Sequence, residues 1–376
     1  MSELIHRTEA KGDSPLVLNL PHSGLLGLDP ENQEDRKILD NCLKFFARAV
    51  SLMEWDPGNC IRSFRDSVVN TIFGSVDVAA PRVMGFADQT DHHRVWTDVP
   101  RALLDVNRLL SDVDRLSVED SKRATGSANG LIWRSTAEVV ENRVRFFAAM
   151  LLNRAGIGEI FAGVRTERIL VRPFTEKEFN ARFLPLYQEY LNAVKKAQEV
   201  AKACCGFSVI FSGHTFPNHL AGKLAKGHHA GAYLIGPQAR RGSVSNNPAK
   251  GKKDIMGGTM PDAFLIADFN HETGKPRWCH PMITQIIEEE FEEAELFVTH
   301  GFGPFQGDNG LESQVVDPKN GHHAVAVELV SHELEPDRIH GSLRVCQFRV
   351  EYLRPIYQRI FDRLAALTPY DLQMTT

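Results

Sequence analysis

The sequence predicts an α/β protein, a mixed and largely parallel sheet flanked by helices, and three observations carry that expectation. Short apolar runs rich in Val, Ile, Leu and Phe stop at turn residues, as buried strands do. Between them, longer stretches repeat apolar residues every three or four positions, as amphipathic helices do. In one place a helix, a tight turn and an apolar strand follow one another directly, which is the order of a βαβ unit.

The first strand is Leu16-Val17-Leu18-Asn19-Leu20, running into Pro21-His22-Ser23-Gly24. Ligands of open α/β sheets sit beyond the carboxyl ends of the strands, so His22 is delivered to the rim where chemistry is expected. Residues 29–53 read as a helix, with Ile38, Cys42, Phe45, Phe46, Ala49, Val50 and Met53 on one face. Residues 66–73 fit either a short helix or a strand, and 76–80 read as a strand. Residues 101–108 read as a further strand whose end carries Asp105, Asn107 and Arg108. Residues 117–135 are polar and Gly-containing, the pattern of a loop.

Thr175-Glu176-Lys177-Glu178 has the spacing of a capping box and opens a long helix. Its buried stripe is Phe179, Phe183, Leu186, Tyr187, Tyr190, Leu191 and Val194, and Cys204-Cys205-Gly206 ends it. Val209-Ile210-Phe211-Ser212-Gly213-His214-Thr215 is then a second strand that delivers a histidine at its end. Residues 215–260, with His219, His228 and His229, read as a loop region. Strands at 263–269, 296–300 and 324–330 and helices at 281–294 and 345–367 complete the chain. The organisation expected is one domain over 1–376 with a loop insertion at about 217–260.

A net charge of −5 without a long basic run argues against nucleic acid as a partner. Six cysteines without CxxC spacing read as reduced thiols of a cytoplasmic protein. The first residues lack an apolar leader, and no uninterrupted apolar stretch reaches the length of a membrane span.

Two strand-end histidines, His22 and His214, suit a mononuclear zinc site, which in catalytic form takes three protein ligands. Glu328 stands alone in Ala324-Val325-Ala326-Val327-Glu328-Leu329-Val330. A carboxylate there is costly unless it points into a polar site, which makes it the candidate general base. For the carboxylate ligand, Asp40, Asp56 and Asp66 are the acids to consider. Position 25 is leucine, so no H-x-x-E follows His22, and no H-E-x-x-H occurs. Asp105, Asn107 and Arg108 form either a structural polar network or the lining of a pocket. The Arg108 fork suits a carboxylate. Pairing Arg108 with Asp105 instead requires a bend, because residues three apart in a strand face opposite ways.

Taken together, these stretches resemble the N-formylglutamate amidohydrolase family. The likeness lies in 14–24 with its P-H-S-G, in Asp105-Val106-Asn107-Arg108, in Ser212-Gly213-His214-Thr215-Phe216, in 261–268 and in Ala326-Val327-Glu328-Leu329. The resemblance implies a phosphorylase/hydrolase-like fold related in site design to zinc carboxypeptidases. It also implies zinc-dependent cleavage of the amide bond of a small N-acyl acidic amino acid such as N-formylglutamate. Carried across, His22 and His214 look like metal ligands and Glu328 like the catalytic acid/base. Arg108, with Asn107 beside it, looks like the contact to a substrate carboxylate or oxyanion.

Asp66 leads Asp66-Ser67-Val68-Val69-Asn70-Thr71-Ile72-Phe73, the counterpart of the family's D-x-x-V-D-x-L-Y stretch, and so stands as the third metal ligand. The second acid of that stretch is Asn70 here, and the family's D-x-H-S becomes Ser212-Gly213-His214-Thr215. The partner expected is a small molecule with a free carboxylate, with neither nucleic acid nor membrane. The rival readings are a zinc carboxypeptidase-like or cell-wall peptide amidase, and a binding protein of the same fold that has lost its metal.

Overall fold

Seven strands pair in the order β1-β3-β2-β6-β9-β7-β8: β1 (Ile5–Thr8), β2 (Leu16–Leu20), β3 (His93–Thr97), β6 (Ser208–Phe216), β7 (Ala263–Ile266), β8 (Val298–His300) and β9 (His322–Val330). The computed structural model describes residues 4–23, 77, 79–101, 104–112, 118, 131–132, 135–139, 164–168, 174–216, 262–270, 273–300, 310–330, 334 and 345–372. The pairs β3–β2, β2–β6, β6–β9 and β7–β8 are parallel, whereas β1–β3 and β9–β7 are antiparallel. The sheet is therefore mixed and largely parallel, as the sequence predicts. A separate antiparallel pair joins β4 (Ser135–Val139) and β5 (Val164–Arg168).

Side chains alternate across the sheet, so each strand feeds two cores. One face carries Leu16, Leu18, Leu20, Val209, Phe211, Val325 and Val327. It packs on α1 (Ala79–Val83), α3 (Pro281–Glu293) and α5 (Gln347–Ala365), where Ile283, Ile287, Ile360 and Phe361 are fully buried. The other face carries Val17, Ile210 and Ala324 against Tyr190, Val194, Ala197 and Ala201 of α2 (Glu176–Cys205). Burying each such aliphatic or aromatic side chain contributes roughly 1.5–3 kcal/mol, which is why these faces hold the layers together.

The long helix has the ends its sequence announces. Thr175 and Glu178 form the reciprocal capping box, and Gly206 closes the helix at φ 82°, a conformation costly for residues with a Cβ.

Two expected strands are corrected. Of residues 76–80, Asp77 lies outside regular structure and Ala79 and Ala80 open α1. Pro81 is tolerated there because the amides of a first turn have no acceptor within the helix. Residues 104–108 form turns rather than a strand: the Arg108 amide donates to the Asp105 carbonyl at 3.1 Å. The Asp105 carboxylate also accepts the Asn107 amide at 3.1 Å. An aspartate that bonds the backbone two residues on favours a turn over a ladder. The stretches 29–53, 66–73 and 217–260 lie outside the described residues. Among the described residues no helix is long and apolar enough to cross a membrane.

Candidate active site

The face of the sheet under α2 changes character along the strands. On β2, Val17 gives way to Asn19; on β6, Ile210 is followed by Ser212 and His214; on β9, Ala324 and Ala326 precede Glu328. Polar residues thus gather at the carboxyl ends of three parallel strands. Parallel pairing sets His214 directly beside Glu328, and the turn after β2 brings in His22.

There His22, Asp77 and His214 converge. The two Nδ1 atoms lie 3.1 Å apart, and Asp77 Oδ2 is 3.3 Å from each. All three side chains are buried. Three lone-pair donors in a triangle of this size match one face of a tetrahedron around a metal with bonds near 2.0–2.1 Å, whose edges are about 3.3 Å. A single shared proton serves only one such edge at a time, so the donor set fits a cation better than a hydrogen-bond network.

Behind His22 stands Asp105, fully buried, whose Oδ1 accepts from His22 Nε2 at 2.8 Å. Arg101 donates to the other oxygen at 3.1 Å, and Arg108 Nε lies 3.6 Å from it. Burial alone raises the proton affinity of this carboxyl, but His22 and Arg101 outweigh it and hold the group well below the usual carboxylate range. A permanently ionised acceptor fixes the Nε2–H tautomer of His22 and leaves Nδ1 to face the cluster.

Burial lowers His214, yet the carboxylates of Glu328 and Asp77, with Glu312, push it up to about 9. Glu328 remains partly exposed, and its carboxyl is raised by desolvation against the opposing pull of His214.

The structure therefore brings His22, His214, Glu328 and Arg108 to one end of the sheet. Arg108 does pair with Asp105, because the turn supplies the bend that a strand lacks, and about 29% of its side chain is still open to solvent. Asn107 presents its carbonyl to the Leu311 amide at 3.1 Å, a structural use. Asp66, Asp40 and Asp56 lie outside the described residues. Asp77 was not legible: nothing in the sequence separates it from the chain's 48 acidic residues. Nor does anything in the sequence separate Arg101 from the chain's 43 lysines and arginines. Glu312, on the short helix α4 (Glu312–Val315), is a third residue the sequence did not flag.

Fold and site together define an α/β protein with its polar centre at the carboxyl ends of parallel strands. The sequence profile of the N-formylglutamate amidohydrolase family matches residues 63–333, and the chain belongs to that family. His22 lies before the matched span and enters the site through the fold. The structure is similar to the crystal structure of N-formylglutamate amidohydrolase from Ralstonia eutropha JMP134, with a TM-score of 0.59 at 17% identity, covering 96% of this chain and 97% of that one. At that identity the likeness is one of fold. No curated protein matches the chain.

Proposed function

We propose that the chain hydrolyses the amide bond of a small N-acyl amino acid with a free carboxylate, N-formylglutamate first among them, with zinc held by His22, Asp77 and His214. The convergence of those three donors beside Glu328 is the observation that carries this reading. Family membership supports the reaction class and the name of the substrate.

His22, Asp77 and His214 would hold the zinc, which when bound would supply Lewis-acid polarisation of an acyl carbonyl and a lowered pKa for water. The protein's own residues do the rest. Glu328, partly open to the site and raised by burial, accepts a proton from the attacking water as its oxygen bonds to the acyl carbon. The C–N bond then breaks, and Glu328 returns the proton to the departing nitrogen, leaving a free carboxylic acid and a free amine. Asp105 keeps His22 in one tautomer and, through its second oxygen, gathers Arg101 and Arg108. Their guanidinium groups suit a substrate that brings negative charge of its own.

The test is metal content and turnover in one set of proteins. Purified protein is expected to bind one zinc per chain and to deformylate N-formylglutamate, and His22→Ala, Asp77→Ala and His214→Ala are each expected to lose zinc and turnover. A parallel Asp66→Ala keeps zinc if Asp77 is the carboxylate ligand. A wild-type chain that neither binds zinc nor turns over after zinc is added overturns the proposal.

A further inference from the structure

Beneath the two histidines runs a hydrogen-bonded chain that the reaction does not use directly. The Tyr190 hydroxyl donates to Asn19 Oδ1 at 2.6 Å, Asn19 Nδ2 donates to Ser212 Oγ at 2.8 Å, and the Ser212 hydroxyl donates to Glu312 Oε1 at 2.5 Å. All four residues are at most 1% exposed. Each donor points the same way, toward a carboxylate, so the chain has one polarity and a buried anion at its end. Chains of this kind, fully satisfied, specify a single arrangement.

Its position gives it a role. Asn19 and Ser212 are register partners on β2 and β6, three residues before His22 and two before His214. Ser212 and His214 lie on the same face of β6. The two histidines are secured differently. Asp105 holds the far nitrogen of His22, whereas His214 Nε2 is buried with no hydrogen-bond partner among the described residues. The pose of His214 therefore depends on how its strand is held. α4, which carries Glu312, is tied in turn to the turn that carries Asp105. The Leu311 amide donates to Asn107 Oδ1, and Gln314 bonds Tyr187, whose hydroxyl donates to the Arg108 carbonyl at 2.9 Å.

We infer that Glu312 is a positioning residue: through Ser212 it fixes β6 and so His214 for metal binding, and it links that strand to the Asp105 turn that fixes His22. The inference rests on the metal site proposed above.

The test uses the full chain, zinc alone with a competing chelator, and the absorption spectrum of the cobalt-substituted protein. Glu312→Gln keeps shape and an acceptor but removes the charge, whereas Ser212→Ala removes the link. Both are expected to weaken zinc binding about ten- to hundredfold and to alter the cobalt spectrum, in the range seen when groups supporting a metal ligand are lost. Ile360→Val, in the core under the opposite face, serves as a variant that lowers stability and leaves zinc affinity unchanged. If Glu312→Gln does not fold, Ser212→Ala decides. Wild-type affinity and spectrum in both variants overturn the inference, as does an equal loss in Ile360→Val. A wild-type chain without zinc overturns the site reading itself, and the inference with it.

Discussion

Asp105 Oδ1 sits 2.8 Å from His22 Nε2, on the opposite side of the ring from the Nδ1 that faces His214 and Asp77. One buried carboxylate thus sets the tautomer of a histidine and, through its second oxygen, gathers Arg101 and Arg108. Asp105→Asn removes the permanent acceptor. Zinc affinity is expected to fall about ten- to hundredfold, measured by chelator competition. Unchanged affinity would show that packing alone orients His22.

Glu328 stands beside His214 in register but outside the donor triangle. Glu328→Gln is therefore expected to retain a full equivalent of zinc and to lose about 10²- to 10⁴-fold in kcat, the usual contribution of a general acid–base group. Turnover within a few-fold of wild type removes Glu328 from the proton transfers.

Arg108 pairs with Asp105 at 3.6 Å and keeps about 29% of its side chain open to solvent. If it also receives a substrate carboxylate, capping that carboxylate as a methyl ester lowers kcat/KM by about tenfold or more in wild type, equivalent to about 1.4 kcal/mol. The same capping changes little in Arg108→Ala. Equal losses in both proteins would leave Arg108 a structural partner of Asp105.

Gly213 precedes His214 where the backbone runs close to Met84. A Cβ at 213 would collide with the Met84 sulfur, inside a packed core. Gly213→Ala is expected to cost about 1–3 kcal/mol, the range for overpacking. Adding Met84→Ala should recover part of that loss, so the two changes are non-additive in urea denaturation. Simple additivity would mean that the backbone, not Met84, sets the constraint.

His323 lies near the other end of β9 from Glu328, buried against Phe207, and its Nδ1 has no partner among the described residues. Desolvation, with His280 and His322 nearby, lowers its pKa to about 4. The unfolded chain takes up this proton near pH 6.5, whereas the folded one resists until about 4. This contribution is fully present above pH 6.5 and is lost as pH falls toward 4. The slope is about 1.4 kcal/mol per pH unit, or about 3 kcal/mol in all. His323→Gln should flatten the pH dependence of the urea midpoint between pH 6.5 and 5. An unchanged slope would assign the effect to other groups.

Much of the fold was legible because local rules decide it. Apolar runs bounded by turn residues gave β2, β6, β7, β8 and β9, and the spacing of Phe179, Phe183, Tyr187 and Tyr190 gave the long helix with its cap at Thr175. The edge strand β1 and its neighbour β3 escaped notice. Ile5–Thr8 and His93–Thr97 carry histidine and arginine among few apolar residues, so no run stands out. The turn at 104–108 looked like a strand because its residues alternate acceptably. What bends it is the side-chain bond from Asp105 to the Asn107 amide, which composition does not reveal.

By itself the sequence determined β2, β6, β7, β8, β9 and the three long helices, the family likeness and the delivery of His22, His214 and Glu328 to strand ends, since each depends on residues adjacent in the chain. Only the tertiary structure decided that β2 and β6 are neighbours, that β9 lies beside β6, and that Asp77, Asp105 and Glu312 are the acids around them. The physical reason is distance. A donor triangle about 3 Å on a side is set by strands paired across some 190 residues of sequence, from His22 to His214. An isolated aspartate carries no local pattern to say where the fold will put it.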